Sequence, residues 1–164
     1  MKRIIEINKK DLSYIAGFLD GDGSLIAQLV KGEYRYGYRI RLSIVFYQKT
    51  EKYWFLEWLK KKLRYGSIRK RTDGVSDYTI TASKAVEKVL KELLPYLRIK
   101  KAIGRDILEI IRLKKVIESE EEFIRVCELV DKVAEQTYGK RKSISVENVK
   151  RFISEKKGSN ISSP

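Results

Sequence analysis

The chain has 164 residues, with 36 lysines and arginines against 22 aspartates and glutamates, a formal charge of +14. It has no histidine and a single cysteine, Cys127, which excludes histidine-dependent triads, histidine-ligated zinc, cysteine-rich metal sites and an intramolecular disulfide. The basic excess points to a polyanionic partner. No apolar run approaches the ~20 residues of a membrane span, so an intracellular protein with no membrane partner is expected.

In chain order, Asp11 is placed to cap a helix that runs to Asp20, with Leu12, Ile15, Ala16 and Leu19 at helical spacing and Gly21 and Gly23 ending it. Two strands follow, Ser24 to Val30 and Tyr38 to Tyr47, joined by Lys31 to Gly37. The second alternates, with Ile40, Leu42, Ile44 and Phe46 on one face and Arg39, Arg41 and Ser43 on the other. Thr50 is expected to cap a helix to Leu63, striped by Trp54, Phe55, Trp58 and Leu59 and broken at Gly66. A second hairpin, Ser67 to Arg71 and Val75 to Thr81, turns at Thr72-Asp73-Gly74. Ser83 is expected to cap a third helix reaching Leu94, where Pro95 stops it.

Residues 99–117 and 119–136 read as two more helices, the latter with a Ser119/Glu122 capping box. Cys127 lies there among Phe123, Val126 and Val130, a buried inert thiol. A short helix from Ser145 to Glu155 comes last. The expectation is one α+β domain over residues 1–155, with a four-stranded, mainly antiparallel sheet, and a flexible polar tail over 156–164. Helices should cover one sheet face. The other carries Gln28, Arg39, Arg41, Ser43, Arg69 and Arg71, open to a partner. Abundant Lys, Glu and Ile beside three Asn and three Gln lean towards a thermophilic source.

The most informative stretch is Ile15-Ala16-Gly17-Phe18-Leu19-Asp20-Gly21-Asp22-Gly23. A calcium loop starting at Asp20 fails, because its sixth position is Leu25 and its twelfth Lys31. A phosphate cradle fails too, since an anion would meet two carboxylates. Two readings stay open. The acids can be a local helix stop. Alternatively, Gly17 and Gly21, four residues apart on one helical face, let a second copy approach closely, and a two-fold axis then sets both Asp22 carboxylates around divalent cations.

Residues 15–23 resemble the signature of the LAGLIDADG homing endonucleases, with Ala16, Gly17, Asp20, Asp22 and Gly23 identical to it. Phe46 to Leu56, Arg69 to Tyr78 and Leu94 to Lys101 resemble, in content and order, the branch with one motif per chain that works as a homodimer. The resemblance implies a helix-hairpin-helix-hairpin-helix core, a saddle-like DNA-binding sheet and C-terminal helices. It implies a metal-dependent double-strand break with 3′ overhangs in a pseudo-palindromic site of about 20 base pairs, roughly two duplex turns. Asp22 and the Gly21 carbonyl would hold Mg²⁺; Mn²⁺ or Ca²⁺ would fit the same site, Ca²⁺ without cleavage. Gln48 would lie near the attacking water, Lys100 near the water network or cleaved phosphate, and Lys52 at a basic position beside the site. Asp20 is expected to be structural at the helix end and, with Ala16, Gly17 and Gly21, to lie at the dimer interface.

DNA contacts are expected from Gln28, Arg39, Arg41, Ser43, Arg69 and Arg71, from Tyr36 and Tyr47, and from Lys140 and Lys142. The rivals are an intron RNA maturase on the same fold, for which RNA is the partner, and a non-catalytic DNA-binding regulator.

Overall fold

A computed structural model describes residues 7–137 and 144–161. The elements run α1 (Lys9–Asp22), β1 (Gly23–Lys31), β2 (Tyr38–Lys49), α2 (Tyr53–Leu63), β3 (Ser67–Lys70), β4 (Val75–Ile80), α3 (Ser83–Leu93), α4 (Lys101–Lys114), α5 (Glu120–Gln136) and α6 (Val146–Ile161). Short 3₁₀ turns, Thr50–Lys52 and Leu94–Tyr96, precede α2 and follow α3. The protein is α+β, with one four-stranded sheet ordered β1-β2-β4-β3. β4 pairs antiparallel with both neighbours; Phe46 faces Tyr78, and Arg69 faces Asp77.

Cα packing divides the chain into two compact units. One holds the described residues up to Leu25 together with Ser43–Arg105; the other holds Ile26–Leu42 with the described residues from Asp106 onward. In the first, α1 packs on α3, and α2 packs on β3 and β4. Its core includes Ile15, Ala16, Leu19, Phe46, Leu56, Leu59, Tyr78, Leu90 and Leu93, all essentially inaccessible. Phe18 stacks on Phe46, and an edge-on aromatic group of Tyr14, Phe55 and Trp58 extends it to the surface. In the second unit α5 packs on α6. There Gly37 takes a left-handed φ of +73°, and a Cβ would collide with the Phe152 ring.

Several boundaries differ from the sequence expectation, each for a local reason. α1 starts two residues earlier, because the Asn8 side chain accepts from the Asp11 N–H at 2.9 Å. Asp11 instead pairs with Lys62 at 2.6 Å. The helix runs through Gly21 and Asp22. It ends at Gly23, whose N–H returns to the Leu19 carbonyl and whose missing Cβ would sit 2.5 Å from Leu19 Cδ1. Thr50 gives its hydroxyl to a hydrogen bond with Ser76 Oγ at 2.9 Å and opens a 3₁₀ turn, not a cap for α2. α2 stops at Arg64, a left-handed residue (φ 67°), before Gly66 is reached. Ala82 takes the boundary position of α3, so Ser83 opens that helix and does not cap it.

The Ser119/Glu122 capping box is present; the Glu118 and Ser119 N–H groups on the Glu122 carboxylate hold its pKa down. Residues 156–161, expected as tail, continue α6. Lys157 pairs with Glu120 at 2.6 Å, and Ser159 Oγ donates to the Glu155 carbonyl at 3.0 Å. Among the described residues no helix is long and apolar enough to cross a membrane.

Candidate active site and nucleic-acid face

The end of α1 treats its two acids differently. Asp20 is half-buried, and its carboxylate accepts the backbone N–H groups of Arg98 (2.8 Å), Ile99 (3.3 Å) and Lys100 (2.9 Å). Lys100 Nζ in turn donates to the Asp20 carbonyl. Asp22 is exposed and makes no hydrogen bond or ion pair among the described residues. No basic residue lies in the last turn of α1, so the partial negative charge of that helix end is not offset by its own side chains. A free carboxylate next to the Gly21 carbonyl, in the last turn of the helix, is an oxygen pair that suits a hard divalent cation. Among the described residues no group of three acidic or sulfur or imidazole ligands gathers within the chain, so one chain's α1 end alone would supply only a fraction of the usual six or so oxygen ligands of such a cation.

Gly17 and Gly21 both face the surface, and a Cβ added at either meets nothing within 4 Å. Ala16, grouped with them on sequence, is fully enclosed in its own chain's core, so it supports that exposed stripe from beneath. Gln48, the residue before the end of β2, is half-buried, its Oε1 accepting the Lys49 N–H at 2.9 Å, which leaves the amide NH₂ to donate. Lys52 is exposed in the 3₁₀ turn. Of the expected catalytic set, the structure brings Lys100 directly to the α1 end; Gln48 and Lys52 make no direct bond to Asp22 among the described residues.

On the sheet, odd-numbered β2 residues Arg39 and Arg41 are exposed, Tyr47 is half-buried and Ser43 is 6% exposed, hemmed in by its neighbours. Gln28 is half-buried on β1. Arg39 lies over the Tyr34 ring at 5.6 Å. Arg69 directs Nε (3.3 Å) and an Nη (3.0 Å) at Asp77, and Arg71 pairs with Asp73 at 2.6 Å. Tyr36 differs from its expected role at the DNA: its ring stacks on Phe123 with centroids 4.7 Å apart, and its enclosed hydroxyl has no hydrogen-bond partner among the described residues. Lys140 and Lys142 lie outside the described residues.

The profile of the LAGLIDADG endonuclease family matches residues 15–117. The chain belongs to that family. It is 36% identical over 157 residues to the DNA endonuclease I-CreI of Chlamydomonas reinhardtii, spanning 93% of this chain and 96% of that protein. It is 34% identical over 142 residues to the DNA endonuclease I-CvuI of Chlorella vulgaris, spanning 86% and 88%. The crystal structure of I-CvuI with its DNA target and 2 mM Ca superposes with a TM-score of 0.85 over 89% of this chain and 94% of that one, at 32% identity. This chain is a single-motif LAGLIDADG member, with one copy of the signature at residues 15–23.

Two residues of this LAGLIDADG chain escaped the sequence reading. Asp77 is 6% exposed and holds Arg69; its signal is register, since it faces Arg69 across β3 and β4. Lys114, in the last turn of α4, donates from Nζ to the Ile40 carbonyl at 3.1 Å; burial, then the nearby Arg39 charge, lowers its pKa. No sequence pattern marks it. Burial pushes the Cys127 thiol up to about 12, in keeping with an inert core sulfur.

Proposed function

We propose that the chain is a site-specific homing endonuclease that acts as a homodimer and hydrolyses both strands of a long pseudo-palindromic DNA site with Mg²⁺, leaving 3′ overhangs. The observation that carries this is the free Asp22 carboxylate at the end of a helix with an exposed Gly17–Gly21 stripe. One chain offers one such acid, and two chains joined along that stripe offer two around a shared axis. Asp22 and the Gly21 carbonyl hold the divalent ion, which when bound polarises a scissile phosphate and lowers the pKa of a water. With no histidine in the chain, proton transfer falls to water, and the side chains orient and neutralise. Lys100 presents its ammonium at the α1 end to offset phosphate charge. Gln48 donates its amide NH₂ to the attacking water, and Lys52 adds positive potential beside it. Gln28, Arg39, Arg41, Arg69, Arg71 and Tyr47 meet the duplex, as base-edge readers or phosphate contacts. I-CvuI has been solved bound to its DNA target, which supports the same partner here.

The test is selection of cleaved molecules from a randomised duplex library with the purified chain and Mg²⁺. A single two-fold-related consensus of about 20 base pairs, cut with 3′ overhangs and lost when EDTA removes the metal, is expected. Metal-independent binding without nicking would leave only a DNA-binding protein.

A further inference from the structure

We propose that Asp20 is a positioning residue for Lys100, fixing its ammonium beside the metal-holding end of α1; this rests on the role given to Lys100 above. Asp20 makes its carboxylate contacts with donors 78 to 80 residues later in the chain, not with its own helix. Those three consecutive amides immediately precede α4, whose N-terminus carries the positive end of the helix dipole. One carboxylate therefore takes three backbone donors in a charge-favoured place.

The segment it grips has little else to hold it. Leu97 is buried, but Arg98 is exposed and Ile99 is 78% exposed, so apolar burial anchors only its start. Asp20 sets the backbone of Lys100 through the N–H at 2.9 Å, and its own carbonyl then takes the far end of the same side chain. A lysine stem has four rotatable bonds, and fixing them costs rotamer entropy. Here it is fixed at its root and its tip by one residue. The tip rests on the carbonyl just before Gly21, two residues before Asp22. The motif thus divides its acids: one is left for the metal, the other aligns a lysine contributed from far along the chain.

The discriminating measurement is a double-mutant cycle on single-turnover cleavage of the selected duplex, with Ca²⁺-supported binding of the same duplex and oligomeric state measured in parallel. Asp20→Ala should slow single-turnover cleavage by about 100-fold, the scale of an ångström-level misplacement of a reacting group, at protein concentrations where every duplex is bound by the same assembly as with the wild type. In a Lys100→Ala background the same change should cost less than about threefold, the mark of groups that act as one unit. Asp20→Asn, which keeps an acceptor oxygen, should recover part of the rate; it also supplies the cycle if the alanine variant does not fold. Losses that simply multiply in the double variant would overturn the positioning role and leave Asp20 a fold-stabilising residue, while Lys100 kept its own. A Lys100→Ala variant as fast as the wild type would instead remove the role of Lys100, and this inference with it.

Discussion

The two hairpins of the sheet keep their arginines in different states. In β1–β2, Arg41 has no partner among the described residues and Arg39 lies only over an aromatic ring, at the edge of a six-residue loop, 32–37. In β3–β4, Arg69 is gripped through two nitrogens by the nearly buried Asp77, and Arg71 by Asp73 of the turn. A guanidinium held in one plane before binding loses less freedom when it meets a base edge. An arginine free to swing suits the repeating phosphates, where a charge anywhere nearby suffices. Identical residue types on one sheet are thus prepared for different tasks by whether a carboxylate faces them.

The largest expected effect isolates this contrast from the chemistry. Asp22→Asn should bring cleavage below detection while DNA affinity on both hairpins stays near wild type, since its side chain makes no hydrogen bond or ion pair among the described residues; a cleaving variant would break the active-site assignment. Next come the arginines. Arg69→Ala should cost about 1–3 kcal/mol of discrimination at one base position, the worth of a bidentate base contact. Arg41→Ala should weaken all sequences alike and lower the slope of log affinity against log salt by about 1. Equal, sequence-independent losses at both positions would erase the distinction. The smallest change is Asp77→Asn, which releases Arg69 without removing it. Discrimination at that same base should relax by up to about 1 kcal/mol, the scale of an exposed ion pair. The readout is a cleavage profile across single-base variants of the site, and an unchanged profile would show that Arg69 needs no grip.

The strands, the hairpins and all six helices were legible because periodicity is written locally: β2 alternates, and α5 announces itself with Ser119 and Glu122. Asp22, the acid proposed to hold the metal, stood out because a motif of nine residues carries it. What stayed hidden depended on partners distant in sequence. Asp20 looked like a local helix stop, and only the return of residues 98–100 reveals its work. Asp77 could be assigned only once β3 and β4 were in register. Tyr36 looked like one of several surface tyrosines until Phe123 came to lie against it. Residues 156–161 have a polar composition that reads as tail, yet α6 runs through them, with Lys157 paired to Glu120 of α5.

Lys114 has a bearing on solubility. β2 begins at Tyr38, but its ladder with β4 starts only at Ile44, leaving residues 38–43 beyond the reach of that neighbour. A strand edge without a ladder partner is in general a template on which foreign strands can grow into aggregates. The ammonium of Lys114 occupies the Ile40 carbonyl, so a strand seeking to add there would have to evict a cation and pair beside Arg39 and Arg41. Positive charge used to attract a polyanion in this protein also keeps its own kind from stacking onto it.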